Sequence, residues 1–327
     1  MTADSDRFEK MQYRPCGTSG LKLPAISLGC WFHFGDEADE SDISKLIFGA
    51  FDLGITHIDL ANIYGPPPGA AERRAGPVIA QLPRDDVVVS TKGGLTMRPG
   101  PYGRGGTRKN LIDSFDKSLA RLGLDYVDIY YHHARDTGTP IEETLGALDS
   151  IVSSGKALYA GISNYDGQST KEVDDIRRDR GFHPPVVNQV QYSMILRKVE
   201  DDLLPVVKET GIGVVAYSPL ARGMLAGKPV EAVFGDRAKD LGDKIDALRK
   251  TIEGVEKVAA ERGQSPGQMA LAWTLRDPAV TTALIGASRL EQIEENVEAL
   301  TNLEFSKDEL ELIDAAYAAG AGTIDWG

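Results

Sequence analysis

Val87-Val88-Val89-Ser90-Thr91-Lys92, then the amphipathic stretch Thr107–Leu122, then Val127-Asp128-Ile129-Tyr130-Tyr131-His132-His133: this run reads as strand, helix, strand. Short β-branched and aromatic runs fit strands, while apolar positions at helical spacing fit a helix packed on them. The alternation continues in both directions. Predicted strands are Ile26–Trp31, His57–Ala61, Val87–Lys92, Val127–His133, Ala157–Ser163, Val186–Tyr192, Gly213–Pro219 and Thr281–Gly286. Predicted helices are Ser41–Leu53, Ala70–Gln81, Thr107–Leu122, Ile141–Ser153, Ser169–Arg180, Asp201–Thr210, a long region Asp246–Leu275, Leu290–Leu300 and Lys307–Ala318. Ser41 and Thr107 suit N-caps, Pro266 follows Ser265 at a helix start, and Gly123, Gly155 and Gly211 stand at helix ends.

Eight successive β-then-α units predict an α/β fold, a closed (β/α)8 TIM barrel over about residues 26–301 of a single domain, 1–327. The rival is a doubly wound open sheet, which carries a Gly-rich fingerprint after its first strand. Here Ile26–Trp31 is followed by Phe32-His33-Phe34-Gly35 instead. Residues 11–25, with Gly17-Thr18-Ser19-Gly20 at their centre, predict a β-hairpin that plugs the N-terminal mouth. The last two helices are extra to the barrel. Pro229–Asp243 is the least patterned stretch, either an active-site lid or an exposed loop without a role.

A hydrophobic fraction of 42% over 327 residues matches a soluble globular protein with a large core. No apolar run approaches a membrane span, and Met1 to Lys10 lacks the apolar segment of a secretory signal, so a cytoplasmic location is expected. The net charge of −13 argues against nucleic acid as a partner. It leaves room for an anionic cofactor, because a local cluster of donors outweighs charges beyond a screening length of roughly 8–10 Å. Cys16 and Cys30 form neither a disulfide framework nor a zinc site. The His132-His133 pair alternates across its strand, so both cannot face one ion, and no metal is expected.

The chemistry gathers at strand ends, which in a parallel barrel project into one basin. Asp59 ends the polar tip of the second strand, Tyr64 follows five residues later, Lys92 ends the third and His133 the fourth. Parity supports this placement. If Asp59 points inward, Ile58 and Leu60 point outward; if Lys92 does, Thr91 and Val89 face the helices. Each residue alone has a bland explanation, as a packed turn, a surface lysine, a core histidine or a cap. Together they suit proton transfer to a carbonyl. A free phenol, with a pKa of roughly 10, is a weak acid at neutral pH. A nearby ammonium favours the phenolate and so lowers that value, while Asp59 keeps Lys92 charged and His133 orients the carbonyl oxygen. His132 is the histidine without a role.

The remaining strand ends suit a nicotinamide. Ser163-Asn164 and Asn188-Gln189 offer a hydroxyl and amides for a carboxamide, and Tyr217 offers a face for stacking. Ser218-Pro219-Leu220-Ala221-Arg222-Gly223 forms a turn rich in backbone donors. Gly286-Ala287-Ser288-Arg289 opens a helix that continues through Gln292, Glu295 and Asn296, a setting suited to phosphate. Arg289 there can pair with a 2′-phosphate, favouring NADP(H) over NAD. Arg98, Arg104 and Arg108, after the third strand, are candidates for a substrate phosphate.

Asp59-Leu60-Ala61-Asn62-Ile63-Tyr64-Gly65, Ser90-Thr91-Lys92-Gly93, Gly161-Ile162-Ser163-Asn164 and Gly286-Ala287-Ser288-Arg289 resemble the aldo-keto reductase superfamily, over about Met11 to Ala315. Tyr64-Gly65-Pro66-Pro67-Pro68-Gly69 and Arg98-Pro99-Gly100-Pro101-Tyr102-Gly103 resemble its bacterial L-glyceraldehyde 3-phosphate reductases, relatives of the potassium-channel β subunits. The resemblance implies a barrel that binds NADPH without a Rossmann domain and reduces small aldehydes or ketones by direct hydride transfer. It implies Tyr64 as general acid, Lys92 and Asp59 as its pKa-setting pair, and His133 as the substrate-orienting residue. It also implies Ser163, Asn164, Gln189 and Tyr217 on the nicotinamide. Leu220, Arg222, Gly223 and Lys228 then line the pyrophosphate, and Ser288, Arg289, Gln292, Glu295 and Asn296 the adenosine end. Trp31, Ser218 and Gly286 complete the cofactor set. Relatives often assemble as tetramers or octamers, so a homo-oligomer is a further expectation. The stretch after Gly227-Lys228 departs from the reductase pattern, being short and dissimilar. A nicotinamide-loaded barrel that reports redox state to a partner is the rival function. A barrel isomerase or hydrolase is a third, though the chain shows neither a metal cluster nor a nucleophile–base pair for it.

Overall fold

The computed structural model describes residues 5–321. The ends of the expected 1–327 domain, residues 1–4 and 322–327, lie outside them. Two short strands, β1 (Tyr13–Pro15) and β2 (Lys22–Pro24), pair antiparallel as a hairpin, with Tyr13 opposite Pro24. Eight more follow: β3 (Ile26–Gly29), β4 (His57–Asp59), β5 (Val88–Gly93), β6 (Val127–His132), β7 (Ala157–Ser163), β8 (Pro185–Gln191), β9 (Gly213–Tyr217) and β10 (Val280–Ile285). Each is parallel to its sequence neighbour, and β10 returns to β3 with Ala283 opposite Ile26. The sheet is therefore a closed barrel, not an open one.

The connecting helices are α1 (Glu40–Asp52), α2 (Ala70–Ile79), α3 (Arg108–Leu122), α4 (Ile141–Ser153), α5 (Gly167–Arg180) and α6 (Val199–Thr210). After β9 come α7 (Val230–Phe234), α8 (Ala238–Leu241), α9 (Asp243–Glu261) and α10 (Pro266–Thr274). After β10 come α11 (Leu290–Val297) and α12 (Lys307–Ala318). No helix among the described residues is long and apolar enough to cross a membrane.

The period-two alternation of the strands sorts side chains into two cores. Ile58, Val89, Tyr130 and Ile162 join the cluster shared with the helices, whereas Ile129, Tyr131, Val187 and Val215 pack inside the barrel. Cys16 and Leu23 of the hairpin belong to that inner cluster and are fully buried. Arg14 Nη1 donates to Leu275 O (2.8 Å) and Thr281 Oγ1 donates to Pro15 O (3.1 Å), both beside the start of β10. The hairpin thus seals the N-terminal mouth, as its sequence predicts. Gly161 stands opposite Tyr131 in the β6–β7 register, and a Cβ there would lie 2.5 Å from the tyrosine Cδ1. A side chain at residue 161 would have to displace that ring.

Some boundaries differ from the sequence expectation for local reasons. The N-cap of α1 is Asp39, whose side chain accepts from Ser41 N, so Ser41 lies inside the first turn. Asp246–Leu275 is two helices, because Gly263 turns left-handed (φ 68°) and Ser265 and Gln268 then form a capping box for α10. Pro229–Asp243 is neither open loop nor unpatterned coil. It folds into α7, one 3-10 turn and α8, pinned by buried Val230 and the pairing of Glu231 with Arg249 on α9.

Candidate active site

Asp59, the last residue of β4, and Lys92, next to last in β5, are both fully buried. Lys92 Nζ lies 2.5 Å from Asp59 Oδ2 and also donates to Leu60 O at 2.7 Å. The other carboxylate oxygen, Oδ1, accepts from Ser90 Oγ (2.6 Å) and Gln189 Nε2 (3.1 Å). Tyr64 reaches this pair from the β4–α2 loop. Its ring centroid is 4.7 Å from Lys92 Nζ and 5.7 Å from the His133 ring, which meets it edge-on at 80°. The four residues that the sequence places at strand ends therefore converge at the C-terminal rim.

Burial sets much of the electrostatics. It works against the Lys92 ammonium, but the Asp59 carboxylate and the Tyr64 phenol overcome it and hold the lysine pKa above its ordinary value. For Tyr64, burial pushes the phenol up; Lys92 opposes this by charge and hydrogen bonding, and Asp59 adds to the rise. The net direction is upward, opposite to what the ammonium alone would produce. Burial likewise pushes His133 well below the usual imidazole value, and the Lys92 and His132 charges reinforce it. The site thus holds a charged lysine, a protonated phenol and a neutral imidazole.

His132 faces the other way. Its Nδ1 is 2.7 Å from Tyr165 Oη, and a Cβ on Gly106 would meet its ring, which places it on the helix side of β6. The two histidines are separated by the strand itself, as alternation requires.

The expected nicotinamide residues form one hydrogen-bonded set. Ser163 Oγ donates to Gln189 O (2.8 Å). Asn164, in left-handed backbone (φ 56°), donates from Nδ2 to His133 O (2.9 Å) and Ser163 Oγ (3.1 Å) and accepts from Tyr217 Oη (2.9 Å). Through His133 and Asp59 this set is tied to the other four. Trp31 stands exposed at the rim, its ring centroid 6.3 Å from that of Tyr64.

The β9 and β10 exits hold the rest. Ser218, Ala221, Arg222 and Gly223 all have positive φ, a kinked turn that follows β9 through Leu220. Past β10, Gly286 is open on its Cβ side, and Ser288 donates from N and Oγ to Gln292 Oε1 (2.9 and 3.1 Å). Glu295 and the buried Asn296 follow on α11. Arg222, Lys228 and Arg289 are exposed, and their cationic heads make no hydrogen bond or ion pair with the described residues. Three unpaired cations on the exits of adjacent strands, in a chain of net charge −13, fit a polyanionic cofactor.

Two outcomes were not read from the sequence. Arg108 turns away from the rim, donating to Gly146 O (2.9 Å) and Ser150 Oγ (2.8 Å) on α4, so it drops out as a substrate-phosphate ligand. Ser90 and His57 lie on the Asp59 side of the pair instead, at positions two before Lys92 and two before Asp59. A polar residue on the inward parity of an apolar strand was the signal for both.

Comparison with known proteins matches this architecture. The model of the aldo/keto reductase family covers residues 25–318. An L-glyceraldehyde 3-phosphate reductase of Escherichia coli (strain K12) is 46% identical, over 97% of this chain and 96% of that protein. A probable voltage-gated potassium channel subunit beta of Arabidopsis thaliana is 36% identical over 89% and 91%, and probable aldo-keto reductase 1 of Glycine max 32% over 91% and 87%. With likeness sustained along whole chains of one barrel type, the protein belongs to the aldo/keto reductase family, and its chemistry is that of an oxidoreductase.

Proposed function

We propose that the protein reduces small aldehydes with NADPH, a phosphorylated triose or methylglyoxal being the substrate class, and that Tyr64 is the general acid. The observation that carries this reading is the fully buried Lys92–Asp59 pair set against the Tyr64 ring at the rim. When bound, the reduced nicotinamide would supply hydride for the carbonyl carbon. As negative charge grows on the carbonyl oxygen, the Tyr64 hydroxyl gives it a proton, and the Lys92 ammonium stabilises the phenolate left behind. Asp59 keeps that ammonium charged and aimed. Neutral His133 donates an N–H to the same oxygen and orients it. Because the Tyr64 pKa lies above the usual phenol value, the acid is present in its protonated form at neutral pH.

In this reading Ser163, Asn164, Gln189, Tyr217 and Trp31 hold the nicotinamide. The turn Ser218 to Gly223 with Lys228 takes the pyrophosphate, and the segment Gly286 to Asn296 takes the adenosine end, Arg289 pairing with the 2′-phosphate. Arg98 and Arg104, on the loop before α3, are the proposed ligands of a substrate phosphate. The similarity to an L-glyceraldehyde 3-phosphate reductase supports that substrate class.

The test is Tyr64→Phe, followed by absorbance of the reduced nicotinamide with a panel of phosphorylated and unphosphorylated aldehydes. Reduction should fall by roughly 10²–10⁴-fold, the usual contribution of a positioned acid, while NADPH fluorescence on binding is kept. A Phe variant as fast as the parent refutes the assignment. A nicotinamide-binding redox sensor is the second reading, favoured by likeness to channel β subunits. Tight NADPH binding with negligible turnover by the parent would select it.

A further inference from the structure

A single file of hydrogen bonds runs across four neighbouring strands beneath the Asp59–Lys92 pair. Thr282 Oγ1 on β10 is 2.7 Å from Ser27 Oγ on β3, which is 2.9 Å from His57 Nδ1 on β4. His57 Nε2 is 3.0 Å from Ser90 Oγ on β5, and Ser90 Oγ is 2.6 Å from Asp59 Oδ1. All five side chains are fully buried. Valence fixes the direction of every link. The Asp59 carboxylate, paired with a charged lysine, can only accept, so the one hydroxyl proton of Ser90 goes to it. Ser90 Oγ must then accept from His57, which puts the imidazole proton on Nε2. A neutral imidazole protonated there offers a lone pair at Nδ1, so Ser27 donates to Nδ1 and Thr282 donates to Ser27. Burial, which outweighs the opposing Asp59 charge, pushes the His57 pKa down to about 4 and keeps the ring neutral.

We propose that His57 is a positioning residue for the reaction, fixed as the Nε2–H tautomer, which through Ser90 locks the Asp59 carboxylate so that Lys92 aims at Tyr64. Lys92 has three ammonium protons. Asp59 Oδ2 and Leu60 O take two, and the third is left for the phenol only while the carboxylate keeps its orientation. Ser90 and Gln189 hold Oδ1 and so set that orientation. This inference rests on the functional reading above for its kinetic consequence, but the tautomer does not.

The experiment combines nitrogen NMR of histidine-labelled parent protein at neutral pH with kinetics of His57→Gln and His57→Leu. The His57 signal, identified by its loss in His57→Gln, should show a protonated Nε2 and an unprotonated Nδ1. His57→Leu should lose roughly tenfold in kcat, as for one hydrogen bond of a charged network, with KM for NADPH unchanged. His57→Gln, whose amide N–H can still donate to Ser90, should recover most of it. Ser90→Ala cuts the same link and should match His57→Leu, which covers the case of a Leu variant that fails to fold. An Nδ1–H tautomer overturns the proposal. So does a kcat left at the parent value in His57→Leu or Ser90→Ala, or an equal loss in the Gln and Leu variants. If the parent protein shows no turnover at all, the functional reading fails while the tautomer still decides the direction of the file.

Discussion

Removing either member of the Lys92–Asp59 pair alone leaves a charge where water cannot reach it, since both side chains are fully buried. Breaking such a pair from one side costs about 3–5 kcal/mol. The two halves are not equivalent. In Lys92→Met, Asp59 keeps two donors, Ser90 and Gln189, so the loss belongs near the low end. In Asp59→Asn the lysine keeps the carbonyl of Leu60 but faces an amide instead of a carboxylate, so the loss belongs near the high end. With an unfolding entropy of about 2.1 cal/mol/K per residue, 327 residues give about 0.7 kcal/mol/K, or about 1.5 °C per kcal/mol. The single variants should therefore melt about 4–7 °C below the parent by calorimetry. The double variant Asp59→Asn with Lys92→Met removes both charges and should recover most of that deficit, a strongly non-additive cycle. Its turnover should stay with that of Lys92→Met, at least about 10²-fold below the parent, because the phenolate has lost its ammonium in both. Additive losses in the double variant would refute the pairing energetics. A double variant that regains aldehyde reduction would refute the role of Lys92 as partner of the acid.

Three other outcomes follow from the same geometry. Burial pushes His57 and His132 down to about 4, against an ordinary 6.5, so between those values the unfolded chain binds more protons than the folded one. Stability is then lost as pH falls through that window, by on the order of 3 kcal/mol for each ring; a denaturant midpoint equal at pH 7 and pH 4.5 would refute this. Alcohol oxidation with NADP⁺ needs the Tyr64 phenolate, whose pKa burial raises above its ordinary value, so its rate should climb with pH on the alkaline side while aldehyde reduction stays level over the neutral range. A reductive rate that falls off already near neutral pH contradicts it. Arg289→Ala should weaken NADPH binding roughly tenfold and leave NADH unaffected, measured by fluorescence titration; equal weakening of both removes the 2′-phosphate contact.

The barrel was legible because its strands keep a period of two with opposite demands on the two faces. Val89 and Thr91 must meet helices while Ser90 and Lys92 meet the interior, and Thr91 indeed donates to Glu72 of α2 at 2.6 Å. The same parity identified His133 over His132 without reference to any other chain. What failed to show were features shorter than a helical repeat. At five and four residues, α7 and α8 are too brief for an apolar face to recur, so their stretch read as loop. Asp39 and Ser41 are both good caps two residues apart, and propensity does not choose between them. Arg108 sits at a helix start whose sequence is silent on which neighbour it meets.

The inner file of hydrogen bonds marks a deeper limit. Ser27, Ser90 and Thr282 carry hydroxyls that can be satisfied by their own strand or by water, so inward parity marks them without naming their partners. Their meaning comes from closure: Thr282 reaches Ser27 only because β10 returns to β3, across 255 residues of sequence. A barrel brings together what the chain keeps furthest apart, and it does so at the strands whose side chains are most fully removed from solvent. Polar groups there cannot fall back on water, so each must find its partner in the adjacent strand, and a carboxylate at one end dictates the direction of all the rest. The active end of the molecule is thus oriented by bonds whose partners only topology can name.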